Sequence, residues 1–434
     1  MVSGTIAVLG QRTWQAIAGI ATLAFVMRYL SPVEQGYYYT LASLASLHMA
    51  LDMGLSTTLV QFSAREFIGL SWQRGGAVEG TSKTKFLELA RSSVNWYLAS
   101  ALIFFFIYPI GLVFLGHGHG ALNYDWRVPW FLLVCSTAAG LIILPIFTLV
   151  EGSGSVAEVY TVRLIQGVLG ALAVWLVLVS GGGLYAVAMT STLGVTVASF
   201  WVLIFRRKML LQVIRVKVRE FKWSLEIWPL QWRIAVSWLA GYALVQMYTP
   251  LLFRTHGPEV AGQMGVTITV ANMISLLSLA WMTAKIPAMA QATSLREWSM
   301  LDVIFWRAFR LSVLSFSMGG IAFLVIRYIL ESTPYGVRFL PFNETMVLVL
   351  AMGFYHVSGL FSAYLRAHLR EPFLWPSLIV SGLTVFFAIW VAPTWGATGI
   401  VIVLLAMNAL LYFPMSLLLW QNLRRKWHRD PSWR

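Results

Sequence analysis

Charge is scarce in this sequence. Asp, Glu, Lys and Arg make up 11% of its 434 residues, where a soluble domain carries about a quarter. Hydrophobic residues reach 59%, with a mean hydropathy of +0.74. Together these leave no room for a sizeable soluble domain. Cysteine is reduced to Cys135, which excludes an internal disulfide, leaves the redox compartment open and reads as core filler. Asp-x-Asp, nucleophile-elbow and phosphate-loop motifs are missing. The connections are also too short to carry the acid, base or metal residues of a membrane polymerase, ligase or glycosyltransferase, so an enzyme is not expected. His117 and His119 have no third ligand nearby and read as a flexible Gly-rich loop, so no metal site is expected.

What is present is a succession of apolar runs of the roughly 20 residues that cross a bilayer. Twelve spans fit near 7–30, 37–64, 93–115, 128–150, 157–180, 183–205, 230–253, 262–285, 309–330, 344–365, 373–393 and 397–420. The first is too long for a signal peptide and lacks a cleavage site, so it reads as retained. The expected fold is an all-α polytopic membrane protein. The net charge of +14 is topological rather than a nucleic-acid signal. With both termini cytoplasmic, only Arg28, Arg127, Arg254, Arg327 and Arg338 fall outward, and the other 26 of 31 Lys and Arg lie on the inward side or within spans near it. This is the positive-inside asymmetry, with membrane lipid headgroups as its physical partner.

The chain repeats itself. The longest basic segment, Arg206 to Lys222, falls at the midpoint and reads as an interfacial linker. Gln231-Trp232-Arg233 opens the seventh span as Gln11-Arg12 opens the first, and Pro258-Glu259-Val260-Ala261-Gly262 echoes Pro32-Val33-Glu34-Gln35-Gly36. The arginines are 221 residues apart, the prolines 226, and Glu151 and Arg366, each ending a fourth span, 215. Near-constant offsets point to duplicated halves, the plan of transporters whose substrate site lies between repeats. The expected domains are an N-terminal lobe at 1–205, a basic linker at 206–227, a C-terminal lobe at 228–420 and a basic tail at 421–434.

The candidate site follows from charges inside spans, which are costly and tend to face a cavity or a partner. Arg12 and Asp52 stand 20 residues on either side of Pro32, so an antiparallel hairpin brings them to one depth as natural partners. His48, Asp52, Ser56 and Ser63 recur at helical spacing as a polar stripe. Glu158 and Arg163 read as a boundary pair. The cations Arg12, Arg233, Lys285, Arg163 and Arg366 outweigh Asp52, and Arg grips phosphate through a planar fork. Arg12, Arg233, Lys285, Gln15 and Asn272 are therefore the expected substrate contacts. Asp52 and His48 are the coupling or ion-pair groups, and Glu151, Arg163 and Arg366 belong to an inner gate. The plainer alternatives are that Arg12 locks the hairpin through Asp52, that Arg233 and Lys285 snorkel to headgroups, and that His48 is a core histidine.

Arg28-Tyr29-Leu30-Ser31-Pro32-Val33-Glu34-Gln35-Gly36-Tyr37, with Leu51-Asp52-Met53-Gly54-Leu55, resembles the opening hairpin of Wzx-type polysaccharide flippases of the MOP superfamily. Glu151-Gly152 and Tyr364-Leu365-Arg366-Ala367 are similar to the matching places after the fourth and tenth spans. The resemblance implies two six-helix lobes in a V, located in the bacterial inner membrane. It implies a lipid-linked oligosaccharide on undecaprenyl pyrophosphate as substrate, an O-antigen-type headgroup crossing by alternating access. Arg12 and Arg233 would hold the pyrophosphate, with Asp52 as balancing or coupling acid and polysaccharide polymerase or assembly machinery as partners. Relatives that flip the peptidoglycan precursor have fourteen spans against the twelve counted here. No cofactor is expected beyond a coupling proton or sodium ion. A potential negative inside favours outward anion movement by about 2.3 kcal/mol per charge per 100 mV, so potential alone can drive it. A multidrug extruder of the MATE type shares the plan but exports cations through acidic cavities, and here Asp52 is the only acid well inside a span.

Overall fold

The computed structural model describes residues 2–116, 125–217, 223–228, 231–232, 235–236, 239, 242, 246–368 and 372–429. His117, His119, Arg233 and most of the seventh expected span lie outside them. The chain divides into two compact units, Met1–Tyr242 and Ala243–Arg434. Among the described residues, eight helical stretches are long and apolar enough to cross a membrane: Lys83–Gly116, Arg127–Gly152, Val156–Val179, Gly183–Phe205, Pro258–Thr283, Trp298–Leu330, Phe342–Arg366 and Leu374–His428.

The first unit opens with α1 (Val2–Tyr29) and turns at Ser31 into α2 (Pro32–Ala45). The turn is a capping box: the Glu34 N–H donates to Ser31 Oγ at 3.2 Å, and the Ser31 N–H donates to the Glu34 carboxylate at 2.8 Å. Pro32 occupies the first helical turn, where its missing N–H costs nothing. The second expected span is not one helix. It continues as α3 (His48–Asp52) and α4 (Leu55–Glu66), broken where Met53 and Gly54 take φ of 51° and 64°. Two consecutive left-handed residues end any α-helix. The proposed stripe of His48, Asp52, Ser56 and Ser63 is therefore not one helical face: Ser63 turns away and donates to the Leu149 carbonyl at 2.6 Å.

Next come α5 (Lys83–Phe105), α6 (Ile107–Gly116), α7 (Arg127–Gly152), α8 (Val156–Val179), a 3₁₀ turn (Gly183–Tyr185), α9 (Ala186–Phe205), α10 (Arg207–Arg215) and the short α11 (Trp223–Glu226). Packing runs α1 on α8, α8 on α9, α9 on α7 and α7 on α5. The loop after α4 folds as a two-stranded hairpin, Ser71–Trp72 against Val78–Glu79. The hairpin is stitched to α10: Val78 N–H donates to Gln212 Oε1 at 2.9 Å, Gln212 Nε2 returns to the Val78 carbonyl at 3.2 Å, and Lys208 N–H reaches the Gly75 carbonyl at 3.1 Å. Arg206, read from the sequence as linker charge, is buried beneath it. Its guanidinium donates to both Glu158 carboxylate oxygens and lies 4.3 Å from the Trp72 ring centroid, while Trp201 Nε1 donates to the same carboxylate at 2.9 Å. The Glu158–Arg163 pair is therefore replaced by Glu158–Arg206, since residues five apart on a helix do not face each other.

The second unit holds α12 (Tyr248–His256), α13 (Pro258–Thr283), α14 (Ile286–Ser294), α15 (Trp298–Leu330), α16 (Phe342–Arg366), α17 (Leu374–Ala406), a π-helical turn (Met407–Tyr412) and α18 (Phe413–Arg429). The last 55 residues of helix are two crossings, not one. Gly396 at φ 54° breaks α17. Before the break, Phe373 and Val380 pack in the cluster that holds the end of α16. After it, Thr398 donates to Glu344 at the start of α16 at 2.9 Å, and Ser416 meets Ser358 at 3.1 Å. The chain thus runs back along α16 and forward again, matching the spans expected near 373–393 and 397–420.

Candidate functional site

A cavity of about 290 Å³ lies inside the first unit among α7, α8 and α9, with His48 contributed by α3. Small and hydroxylated residues open it: Ser136, Thr137 and Gly140 on α7 face Ser191 and Gly194 on α9. Ser136 and Ser191 hydrogen-bond to each other at 2.7 Å, and Gln166 on α8 donates to the Gly194 carbonyl at 2.6 Å. Arg163 supplies the cavity's guanidinium, and no carboxylate lines it among the described residues.

Arg163 is held in place from one side. It pairs with Glu151 at 3.1 Å and lies 4.9 Å from the Tyr160 ring centroid, and the Tyr160 hydroxyl donates to the other Glu151 oxygen at 3.3 Å. Arg12, exposed on α1, is near enough to Tyr160 to act on it electrostatically. Packing of α1 along α8 is what puts Arg12 there. Glu151 is thus shared by the Arg163 guanidinium and the Tyr160 hydroxyl, with Arg163 turned to the cavity.

The expected Arg12–Asp52 pair does not form. Buried Asp52 accepts hydrogen bonds from Tyr97, on α5, and from Ser56 at 2.8 Å. Adjacent spans need not pack together, and here α1 finds α8. His48 lines the cavity, with Nδ1 2.9 Å from the Ala45 carbonyl. The structure thus brings together Glu151, Arg163 and His48 of the predicted set, while Arg12 is exposed on α1. Gln15 is exposed on α1. In the second unit, Asn272 is half-buried midway along α13, and Lys285 and Arg366 are exposed just beyond α13 and at the end of α16. Sequence reasoning missed Ser136, Thr137, Ser191 and Tyr97. Small residues spaced by three or four, at 136 and 140 and at 191 and 194, were the available signal.

No protein-family model matches the sequence, and no curated protein resembles it. Solved structures do. The lipid II flippase MurJ in an inward closed conformation aligns with a TM-score of 0.61 at 14% identity, covering 97% of this chain and 88% of that one. The fold is that of MOP superfamily transporters. An outward-facing multidrug resistance MATE transporter of that superfamily aligns at 0.58 and 15% identity over 98% of this chain and 96% of that one. A MOP superfamily transporter from Pyrococcus furiosus, described as having a binding pocket of reverse polarity, aligns at 0.55 and 13% identity over 98% and 96%. The match supports the all-α membrane-protein plan, of which eight membrane-length helical stretches stand among the described residues.

Proposed function

We propose that this chain is a flippase that moves an undecaprenyl-pyrophosphate-linked oligosaccharide from the inner to the outer leaflet of the bacterial inner membrane for surface polysaccharide synthesis. The observation that carries the reading is the charge of the cavity in the first unit. Arg163 lines it with no carboxylate among the described lining residues, and the membrane acid Asp52 is engaged by Tyr97 and Ser56. A guanidinium with free donors in a low-dielectric cavity suits a phosphate group, and repels organic cations. The fold supports transport rather than catalysis. Arg12 and Arg163 receive the pyrophosphate, and sugars cross behind it. The membrane potential supplies the drive, with a proton or sodium ion as the coupling candidate. In this reading Arg233 is the counterpart of Arg12 in the second half.

The competing reading is a MATE-type extruder of organic cations, favoured by the multidrug transporters among the structural neighbours. Reconstitution separates the two. Proteoliposomes holding the intact protein should translocate a lipid-linked oligosaccharide, and Arg12→Ala combined with Arg163→Ala should abolish it while the protein stays folded. Cation export by the intact protein with no lipid-linked sugar moved would overturn the flippase.

A further inference from the structure

At the opposite end of the second unit from Arg366, Arg327 sits in the last turn of α15 with only 4% of its surface exposed. Its Nε donates to the Leu340 carbonyl at 2.8 Å, while Nη1 is sealed from solvent with no hydrogen-bond partner. Among the described residues no carboxylate pairs with it. Glu331, one turn further along the helix, is exposed and does not reach back. A snorkelling arginine would carry its charge to the surface. This one is held inside.

The turn that holds it is firmly built. The Leu340 carbonyl also accepts from Thr345 Oγ1 at 3.0 Å, and the Leu340 N–H donates to Thr267 Oγ1 at 3.1 Å. Phe339 packs on Phe323, one turn before Arg327. The turn thus fixes one edge of the guanidinium and leaves the other edge unused. Tying down Leu340 needs only a neutral donor. A buried charge with an idle N–H is costly unless an anion completes it.

We propose that Arg327 is the anchor of an anion site that takes a phosphate group, from a lipid headgroup or from free pyrophosphate. The site goes beyond the flippase reading and stands without it. On the expected orientation it lies at the outward end of the unit. Arg338, half-buried two residues before Leu340, adds positive charge to the same turn.

Two probes separate the sources. Inorganic pyrophosphate is titrated against the detergent-purified protein with melting temperature as readout, and phosphatidylglycerol retained from mixed phosphatidylcholine nanodiscs is counted by native mass spectrometry. In an Arg12→Ala, Arg163→Ala background, which removes the cations proposed to bind pyrophosphate in the first unit, Arg327→Gln should abolish the remaining pyrophosphate-dependent rise if the source is the free anion, or lower lipid retention if the source is the headgroup. Arg307→Gln, at an exposed arginine of α15 far from the turn, should leave the affected signal intact. If Arg327→Gln does not fold, Arg327→Lys decides, because one ammonium cannot serve both Leu340 and the anion in the guanidinium's geometry, and it should weaken binding about tenfold. Both probes unchanged in the substituted protein overturn the site. Pyrophosphate binding lost in the Arg12→Ala, Arg163→Ala protein, with both pyrophosphate binding and lipid retention unchanged in Arg327→Gln, overturns the site and leaves the flippase standing.

Discussion

Each unit carries, at or near the end of its last long helix, an arginine about one turn beyond a tryptophan, Arg206 after Trp201 and Arg424 after Trp420. Both arginines grip a carboxylate through Nε and Nη2, Glu158 in the first unit and Asp302 in the second. Their settings differ. Arg206 is wedged beneath the 71–79 hairpin with its side chain 6% exposed, whereas the Arg424 side chain is 33% exposed. Around Asp302 the neighbours are Tyr364, whose hydroxyl donates to it at 2.8 Å, and a stack in which Trp298 lies 4.4 Å from His428 and 6.0 Å from His368. The same bond is a buried structural pin in one unit and a surface clamp among titratable rings in the other.

That contrast should appear first in stability. Arg206→Ala removes a buried cation and strands Glu158 and the Trp72 face, at a cost of about 3 kcal/mol. Arg424→Ala, in a more solvated pair, should cost about 1 kcal/mol. Thermal unfolding of the two variants in one detergent checks the order, and equal losses would erase the distinction. A smaller effect sharpens the pin itself. Gly76 sits at φ +76°, and an added Cβ would come within 2.7 Å of the Phe205 carbonyl and 2.9 Å of the Arg206 Cα. Gly76→Ala should lift the hairpin from α10 at a local cost of about 1–2 kcal/mol, seen as faster proteolysis within 67–82.

The smallest effect is in pH. Burial pushes the His368 imidazole down to about 4 from its ordinary 6.5. As pH falls below 6.5 the unfolded chain takes up a proton that the folded one refuses. Stability is therefore full above 6.5, declines between 6.5 and about 4, and levels off below that. Hydrogen exchange in α18, corrected for intrinsic rates, should quicken from pH 7 to pH 5 while α10 stays protected. His368→Phe should flatten the response.

The sequence made some of this legible and hid the rest for physical reasons. The Ser31 turn could be read because Pro, Ser and Glu act locally, within one helical turn. The spans could be read because hydrocarbon thickness imposes their length. Arg12–Asp52 could not, because depth in a membrane fixes one coordinate and leaves the lateral neighbour free. The break at Met53-Gly54 lay inside the very motif that carried the family resemblance, yet helical spacing alone gave no sign of it. Arg206 stood in a basic run, where a charge that orients the chain and a charge that is buried look alike. In the candidate site, Arg163 and Glu151 were legible as intramembrane charges. Their pairing depended on how α7 meets α8.

The packing of α1 along α8 also sets an order of events during synthesis. Val179, the end of α8, follows Tyr29 by 150 residues. At roughly 5–20 residues per second, α1 waits about 8–30 s for its principal partner. Through that interval Gln11 and Arg12 are already in or near the bilayer without the helix they are built to join. The first helix made is thus among the last to be seated, and the insertion machinery or neighbouring lipids must shelter its polar face until the fifth crossing arrives.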